Sequence, residues 1–319
     1  MRAVAAQLDV PVATVNLERT YWNDVFQPFL DDVSSGVVTP NPDVACNRHV
    51  KFGALLHHCR EQLGADLVAT GHYARVDVAA RRLVRGVDRA KDQTYFLSRI
   101  HGAVLDRVRF PVGHLTKDRV RRIALERDLP TATARNSVGI CFIGKRKFSA
   151  FLKNYIDEPC AGDFVRLDDG RVVGSHTGLP FYTIGQGARI SGLTDPGQRY
   201  FVQGKDAERN VVYVVEGKDN PALFTTSLTA KRPSWISGTA PPFGSILTSQ
   251  CRYLQRHAPC RIAPSDDAET LRIEFDAPQR GVTPGQIIAL YDGEHVAGGA
   301  IIDSPGAPCT VVDPAAVFW

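Results

Sequence analysis

The sequence predicts an α/β domain followed by all-β domains. Two amphipathic helices and an apolar strand lie within the first 70 residues, whereas short β-rich runs separated by turn dipeptides follow Pro159. The chain has 319 residues, 44% of them hydrophobic, which suffices for two or three buried cores. We place the domain boundaries at residues 1–156, 157–219 and 220–319.

Apolar residues at helical spacing define the first helices. Glu18–Ser35 has such a face and ends at Gly36, and Val50–Leu63 repeats the pattern. We predict a short strand at Val12–Val15. Asp66–Thr70 has the composition of a buried strand, and ligands of open parallel sheets bind beyond the carboxyl ends of strands.

Residues that follow this strand are therefore candidates for a binding site. Gly71 and His72 come directly after it, although a tight turn with a surface histidine would give the same pattern. Further helices are predicted to open at Lys91 and after Thr116, which is a suitable N-cap residue.

The β-rich part carries clear turn signals. Asp169-Gly170 between alternating residues predicts a hairpin, and Asn210–Val215 predicts a strand. Leu271–Phe275, Gln286–Tyr291 and Val296–Ile302 continue the pattern at short intervals. Such spacing favours a small antiparallel barrel.

Charge is unevenly distributed. The formal net charge is +4, yet residues 85–148 contain 15 Lys and Arg against 6 Asp and Glu. A basic segment in an otherwise acidic chain favours a polyanion partner, although a solvated charged face is the alternative. No apolar run is long enough for a membrane span, and the N-terminus lacks a signal-peptide pattern.

Cysteine usage argues against two classes of protein. The seven cysteines are an odd number spread over a long chain, so a secreted disulfide framework is not expected. No CxxC motif or Cys/His cluster has zinc spacing, so we expect no metal site.

Two cysteines lie in unusual surroundings. Cys46 follows a Pro-rich turn that is predicted to present Asp43 and Cys46 just before a helix, where the dipole favours a thiolate. Cys141 lies between Gly139 and Gly144 and is followed by a Lys-Arg-Lys cluster. Both could instead be buried small hydrophobic residues. We predict that the two sulfurs lie within reach of each other.

Five motifs occur in a particular order. They are Pro40-Asn41-Pro42-Asp43 with Cys46-Asn47, Ala69-Thr70-Gly71-His72-Tyr73, Lys91-Asp92-Gln93, Gly139-Ile140-Cys141-Phe142-Ile143-Gly144 and Thr283-Pro284-Gly285-Gln286. This set resembles the tRNA-specific 2-thiouridylases, which place sulfur on C2 of the wobble uridine, and the similarity covers nearly the whole chain. Some stretches look closer to the mitochondrial branch than to the bacterial one.

The resemblance implies a fold and a reaction. It implies an adenylating domain of the PP-loop ATPase type (adenine nucleotide alpha hydrolase-like), a small central β-rich domain and a C-terminal antiparallel β-barrel. ATP, as Mg-ATP, would adenylate the C2 oxygen. Cys141 would carry a persulfide loaded by a sulfur-relay donor protein, and Cys46 would be the nucleophile that releases the sulfur. The two could form a disulfide.

The resemblance also implies roles for further residues. Asp43 would act on protons at the flipped base, and Asn41 and Pro42 would shape its pocket. Gly71 would approach ATP. The anticodon arm of tRNA would be bound by a group of polar residues: His72, Lys91, Asp92, Gln93, Arg252, Tyr253 and Gln286.

One family element has no counterpart. Residues 1–40 contain no Gly-rich loop to cradle ATP phosphates. We therefore expect a truncated product with weak ATP binding and poor turnover. A tRNA-binding protein without catalysis and a redox dithiol protein remain as alternatives. The expected location is mitochondrial if the source is eukaryotic and cytoplasmic if it is bacterial.

Overall fold

The structure, a computed structural model, describes residues 2–134, 143–144, 146–156, 159–191, 197–265 and 269–312. The predicted order, α/β followed by all-β, is confirmed. Within the described ranges, no helix is both long enough and apolar enough to cross a membrane.

The helices lie mostly in the first half of the chain. They are Arg2–Gln7, Glu18–Tyr21, Trp22–Phe26, Gln27–Ser34, Pro42–Ala45, Cys46–Leu55, Leu56–Leu63, Thr94–Leu97, Gly102–Asp106, Lys117–Glu126, Phe148–Leu152, Leu179–Phe181 and Pro221–Leu223. The strands are β1 (Val68–Ala69), β2 (Ala74–Asp77), β3 (Arg82–Arg85), β4 (Val108–Arg109), β5 (Gly162–Arg166), β6 (Val172–His176), β7 (Gly187–Ala188), β8 (Tyr200–Asp206), β9 (Val211–Glu216), β10 (Phe224–Trp235), β11 (Ile246–Gln250), β12 (Ala258–Ala263), β13 (Thr270–Arg280), β14 (Ile287–Asp292) and β15 (His295–Pro305).

The first long helix agrees with the prediction. It runs without a break from Glu18 to Ser34 and ends before Gly36, which has φ +78°. Its apolar face packs on Phe151 and Leu152 of a later helix. Trp22 is an exception, because 46% of it is exposed.

The second long helix begins earlier than predicted. Helical turns start at Pro42 and continue to Leu63, so Cys46 lies inside the helix instead of before it. The reason is local: Asn41 is the N-cap and Pro42 occupies the first turn, where a missing N–H costs nothing.

The parallel sheet is smaller than predicted. Of the expected strand Asp66–Thr70, only β1 forms, and it pairs in parallel with β4. The predicted strand at Val12–Val15 is wrong, because this segment has no regular structure and Val12 is 50% exposed. A strand requires a neighbouring backbone to pair with, which an apolar run by itself does not supply.

The C-terminal strands form the predicted barrel. Six strands pair in the order β10-β13-β12-β11-β14-β15, and β10 also pairs with β15, which closes the sheet. Its interior holds fully buried side chains such as Ile273, Ile288 and Leu290. Closure leaves no unpaired edge among these strands.

One hairpin was missed from the sequence. β2 and β3 pair with each other, and His295 of β15 pairs with Val84 of β3, so residues of the first domain extend the barrel sheet. The central five-stranded sheet has the order β6-β5-β9-β8-β7. It contains the predicted Asp169-Gly170 hairpin between β5 and β6.

Candidate active site

The Pro-rich turn is built by helix capping. Asn41 has an extended backbone, and its Oδ1 accepts a hydrogen bond from the Val44 backbone N–H at 3.4 Å. Pro42 fixes the first helical residue. Asp43 therefore lies in the first helical turn, where the positive end of the helix dipole faces its carboxylate.

Asp43 is a half-buried carboxyl group. Burial raises its pKa above the ordinary value, and the nearby Lys51 ammonium partly offsets that rise. Sequence reasoning did not select Lys51. It lies in the helical segment Cys46–Leu55, which follows the Pro-rich turn.

Cys46 lies one turn further on. Its side chain is buried and only 7% exposed. The Nδ2 of the adjacent Asn47 donates to the Asp43 carbonyl at 3.0 Å, whereas its buried Oδ1 has no partner among the described residues. Cys141 lies outside the described residues, so the predicted proximity of the two sulfurs stays a prediction. The possible Cys46–Cys141 disulfide is not supported by the described residues, because Cys141 lies outside them.

A turn of the barrel holds the Pro-rich turn in place. Gln286 Nε2 donates to the Thr39 carbonyl at 2.7 Å, and its Oε1 accepts from Asn41 Nδ2 at 3.5 Å. The Thr39 N–H donates to the Pro284 carbonyl at 2.9 Å. Two of the motifs found in the sequence are therefore in direct contact.

Gly285 is required for this approach. It has φ +86°, and a Cβ at this position would lie 2.2 Å from Val38 Cγ1 and 3.0 Å from the Thr39 carbonyl carbon. A side chain would therefore push the barrel turn away from the Pro-rich turn.

A cavity of about 820 Å³ opens beside the turn. All three parts of the chain contribute to its wall. The α/β part supplies Asn41, Pro42, Asp43, Lys147, Phe148 and Ser149, the central part supplies Tyr182, Gln186 and Arg189, and the barrel part supplies Gln286. Lys147 follows the Cys141 segment directly in sequence. Tyr182, Gln186 and Arg189 were not selected from the sequence, because no local pattern indicates that they face the turn.

Gly71 and His72 are not among the residues that line this cavity, and their surroundings differ. Gly71 is exposed, and nothing lies within 4 Å of a Cβ built there, so its backbone is accessible. His72 Nδ1 is 2.8 Å from Thr70 Oγ1, and its ring packs against Phe52 and Phe110. Burial, aided by the Lys51 charge, lowers its pKa to about 4. The imidazole is therefore neutral at physiological pH.

The Lys91-Asp92-Gln93 motif is largely engaged inside the protein. Asp92 Oδ2 accepts from Arg85 Nε at 3.0 Å, while its Oδ1 accepts from the N–H and hydroxyl of Thr94. Gln93 Oε1 accepts from the Tyr73 N–H at 3.0 Å. These contacts hold the loop in place. Contact of Lys91, Asp92 and Gln93 with tRNA stays a prediction.

Arg252 and Tyr253 lie at one end of the barrel. Arg252 Nη1 donates to the Arg280 carbonyl at 3.2 Å, and the Tyr253 ring lies 4.4 Å from that of Phe96. Both side chains are half-buried. The arrangement attaches the segment after β11 to the first domain.

Much of the basic segment is accessible. The helix Lys117–Glu126 exposes Arg119, Arg121 and Arg122, although Arg119 pairs with Glu126 at 3.2 Å. Within the described part of the chain, no group of three or more His, Cys, Asp or Glu side chains could hold a metal ion.

Comparison with family models divides the chain into three matches. Residues 1–145 match the tRNA methyl transferase HUP domain, and residues 149–216 match the tRNA methyl transferase PRC-barrel domain. Residues 225–302 match the aminomethyltransferase beta-barrel domain.

Close relatives cover nearly the whole chain. The tRNA-specific 2-thiouridylase MnmA of Lacticaseibacillus paracasei is 44% identical over 94% of this chain and 80% of its own length. The proteins of the same name from Chlamydia abortus and Bacillus velezensis are 44% and 45% identical over 97% and 94% of this chain, and 84% and 80% of their own lengths.

Two expectations find no support in these comparisons. The three relatives are bacterial, so the favoured mitochondrial location is not supported. The alignments span most of each relative, and they do not support the expectation that the chain is a truncated product.

Proposed function

Because the chain belongs to the tRNA-specific 2-thiouridylase family, we propose that it transfers sulfur to C2 of the wobble uridine of tRNA in an ATP-dependent reaction. The family's members are sulfurtransferases, so the chain is an enzyme of that class. The non-catalytic tRNA-binding and redox dithiol alternatives are set aside on this ground.

One observation carries the proposal for the site. The cavity of about 820 Å³ brings the Pro-rich turn, Lys147 and Phe148, the central segment around Tyr182, and Gln286 around one space. An enzyme that modifies a base must take it out of the stack and hold it by stacking and hydrogen bonding. The aromatic and amide side chains on this wall are suited to that task.

The chemistry requires two activations. ATP transfers AMP to the C2 oxygen of the uridine and releases pyrophosphate, which makes that oxygen a leaving group. The sulfur comes from a persulfide on Cys141 that a donor protein loads. In one route Cys46 attacks the Cys141 sulfur and frees hydrosulfide, which attacks C2 and expels AMP. In the other route the terminal persulfide sulfur attacks C2 and expels AMP, and Cys46 then attacks the Cys141 sulfur, which breaks the S–S bond and leaves the sulfur on C2. In both routes a transient Cys46–Cys141 bond is reduced by an external thiol.

Asp43 is the group we assign to proton transfer at the base. Its raised pKa brings the carboxyl group closer to the operating pH, which favours acid–base catalysis. Lys51 limits that rise. His72 cannot serve as the acid near neutral pH, because its pKa is lowered to about 4.

Gln286 has a positioning role in this proposal. Its side chain is hydrogen-bonded to Thr39 and Asn41, so it holds the turn that carries Asp43 and Cys46. The barrel then contributes to the active site itself, in addition to any contact with the anticodon arm through Arg252 and Tyr253. The exposed arginines of Lys117–Glu126 are suited to contacts with tRNA phosphates.

ATP is expected beside Gly71, where the backbone is open, and to bind weakly because residues 1–40 contain no Gly-rich loop for its phosphates. The magnesium that accompanies ATP would be held by its phosphates and not by a protein cage. A bacterial cytoplasmic location accords with the sources of the relatives.

The experiment is a turnover assay. The purified chain is given ATP, a persulfide-donor system and unmodified tRNA, and 2-thiouridine is measured by mass spectrometry. We expect product with the wild type and none with Cys46→Ser, whereas the matched control Cys59→Ser, half-buried on the following helix, retains activity. No product from the wild type, with the protein folded and tRNA bound, would contradict the proposal.

A further inference from the structure

Three arginines from distant parts of the chain meet around a second cavity. Arg48 belongs to the helix that contains Cys46, Arg99 follows the helix Thr94–Leu97, and Arg232 lies in β10 of the barrel. All three line a space of about 510 Å³ on the other side of the Pro-rich turn. Pro40 and Pro42 are shared by the walls of both cavities.

Two of these arginine side chains donate to the backbone carbonyl of another arginine of the three. Arg48 Nη1 donates to the Arg99 carbonyl at 3.0 Å, and Arg99 Nη2 donates to the Arg232 carbonyl at 2.8 Å. The ion pairs found among the described residues do not include these three guanidinium groups, although Asp24, Asp32 and Glu269 lie on the same cavity wall. The three guanidinium groups therefore concentrate positive charge at one side of the cavity, and the carboxyl groups on its wall offset that charge only in part.

Arg99 has a donor with nothing to bind. Its Nε is closed off from solvent and has no hydrogen-bond partner among the described residues. Burial, together with the charges of Arg48 and Arg232, lowers its pKa to about 10. An unmet buried donor is costly. An anion in the cavity would relieve the repulsion between the Arg99 charge and those of Arg48 and Arg232.

Carboxyl groups also border the cavity, so the balance of charge must be considered. Asp24, Asp32 and Glu269 lie on its wall. Burial raises the pKa of Asp32, and Arg232 opposes that rise only in part. Burial and then Arg48 lower the pKa of His49, with Asp24 acting in the opposite direction. The arginine side of the cavity therefore remains positive.

We propose that Arg48, Arg99 and Arg232 form a binding site for a phosphate oxyanion. Guanidinium groups present planar pairs of N–H donors that match phosphate oxygens, and three of them around one cavity surround such a group from several sides. The phosphate has two possible sources: a phosphodiester of an RNA strand, or a free ion such as inorganic phosphate or pyrophosphate. The proposal does not rest on the proposed function.

In the first test the protein is titrated with inorganic phosphate, and the thermal unfolding midpoint is measured at each concentration. Chloride keeps the ionic strength constant. We expect a saturable rise of the midpoint, as required for a ligand that binds only the folded state. Arg232→Asn is the main variant. The Arg232 backbone has φ +51°, which asparagine tolerates, and its side chain has no hydrogen bond with the residues that the structure describes. Arg99→Gln is the second.

Each variant is expected to weaken phosphate binding by roughly tenfold or more, the effect of losing one charged hydrogen-bonding partner. The matched control is Arg272→Gln, an exposed arginine of the same barrel that pairs with Glu274, and it should bind phosphate like the wild type. The absence of a saturable response in the wild type, or equal binding by wild type and both folded variants, would overturn the proposal.

The second arm identifies the source of the phosphate. Unmodified tRNA is titrated against the same proteins at fixed salt. If Arg232→Asn loses tRNA affinity as well as phosphate affinity, the result supports the site and assigns it to an RNA phosphodiester. Unchanged tRNA affinity with lost phosphate binding supports the site and assigns it to a free phosphate ion. Failure of turnover in the assay above leaves both results interpretable, since neither depends on catalysis.

Discussion

Asp92 and Asp43 both belong to the sequence motifs, but their environments in the folded chain are opposite. Asp92 is 8% exposed and accepts hydrogen bonds from Arg85, Gly86 and Thr94. Asp43 lies on the wall of the larger cavity, and its pKa is raised by burial. The first carboxylate is fully satisfied by the protein, whereas the second is desolvated without compensating hydrogen bonds from the described residues.

The difference shows how to separate fold from chemistry. A carboxylate surrounded by donors stabilises the loop that holds it and has little capacity left for a ligand. One that is desolvated and faces a cavity reduces stability and is available for proton transfer. Local sequence presents both as polar residues in short motifs, and only the family resemblance assigned them different roles.

Asp43→Asn is the strongest test of the difference between the two aspartates. We expect turnover to fall by roughly 10²–10⁴-fold, the usual contribution of a proton-transfer group. Stability at neutral pH should not decrease. The raised folded-state pKa means that the folded state binds more protons than the unfolded state, so this group favours folding at low pH and opposes it as pH rises. A neutral amide removes that opposition.

Single-turnover thiolation rates and urea unfolding measure the two effects. The exposed Asp276, which pairs with Arg261, provides a matched Asp→Asn control with expected normal turnover. If Asp43→Asn lost stability and kept its rate, the two aspartates would not differ in the way described.

Asp92→Ala should have the reverse effect. Removal of one partner from the buried pair with Arg85, whose side chain is 17% exposed, should lower the free energy of unfolding by about 3–5 kcal/mol. Urea denaturation measures this value. The control is Glu274→Ala, because its pair with Arg272 is exposed and should contribute at most about 1 kcal/mol. Wild-type stability with greatly reduced tRNA affinity would instead identify Asp92 as a tRNA contact.

Gln286→Ala tests the link between the barrel and the Pro-rich turn. We expect kcat to fall by roughly tenfold through misplacement of the turn, with the Kd for tRNA unchanged. Gln286→Glu keeps an acceptor for Asn41 but loses the donor to the Thr39 carbonyl, so it should not restore the rate. A weaker Kd with normal kcat would show that Gln286 binds tRNA and does not position the turn.

The smallest expected effect is on pH dependence. If Asp43 acts as a base, kcat/KM should fall at acidic pH with a midpoint above 3.8, the ordinary pKa of an aspartate. This fall should be absent from the residual activity of Asp43→Asn. A pH–rate profile with saturating ATP measures this. A limb that persists in the variant belongs to another group.

Local sequence determined several features correctly. The apolar face of Glu18–Ser34, the stop at Gly36 and the Asp169-Gly170 hairpin follow from side-chain periodicity and backbone preference, which act over a few residues. Thr116 caps the helix Lys117–Glu126 as predicted. The five ordered motifs also identified the family, because a chain of this length contains them in order only through common ancestry.

The tertiary structure decided which of those motif residues meet. Gln286 reaches Thr39 across 247 positions of sequence, the hairpin β2–β3 joins the barrel sheet, and three separated arginines line one cavity. No local propensity encodes these contacts, since each depends on how the domains pack. The sequence by itself determined which residues could do chemistry, and packing determined which are satisfied by the protein and which face a cavity.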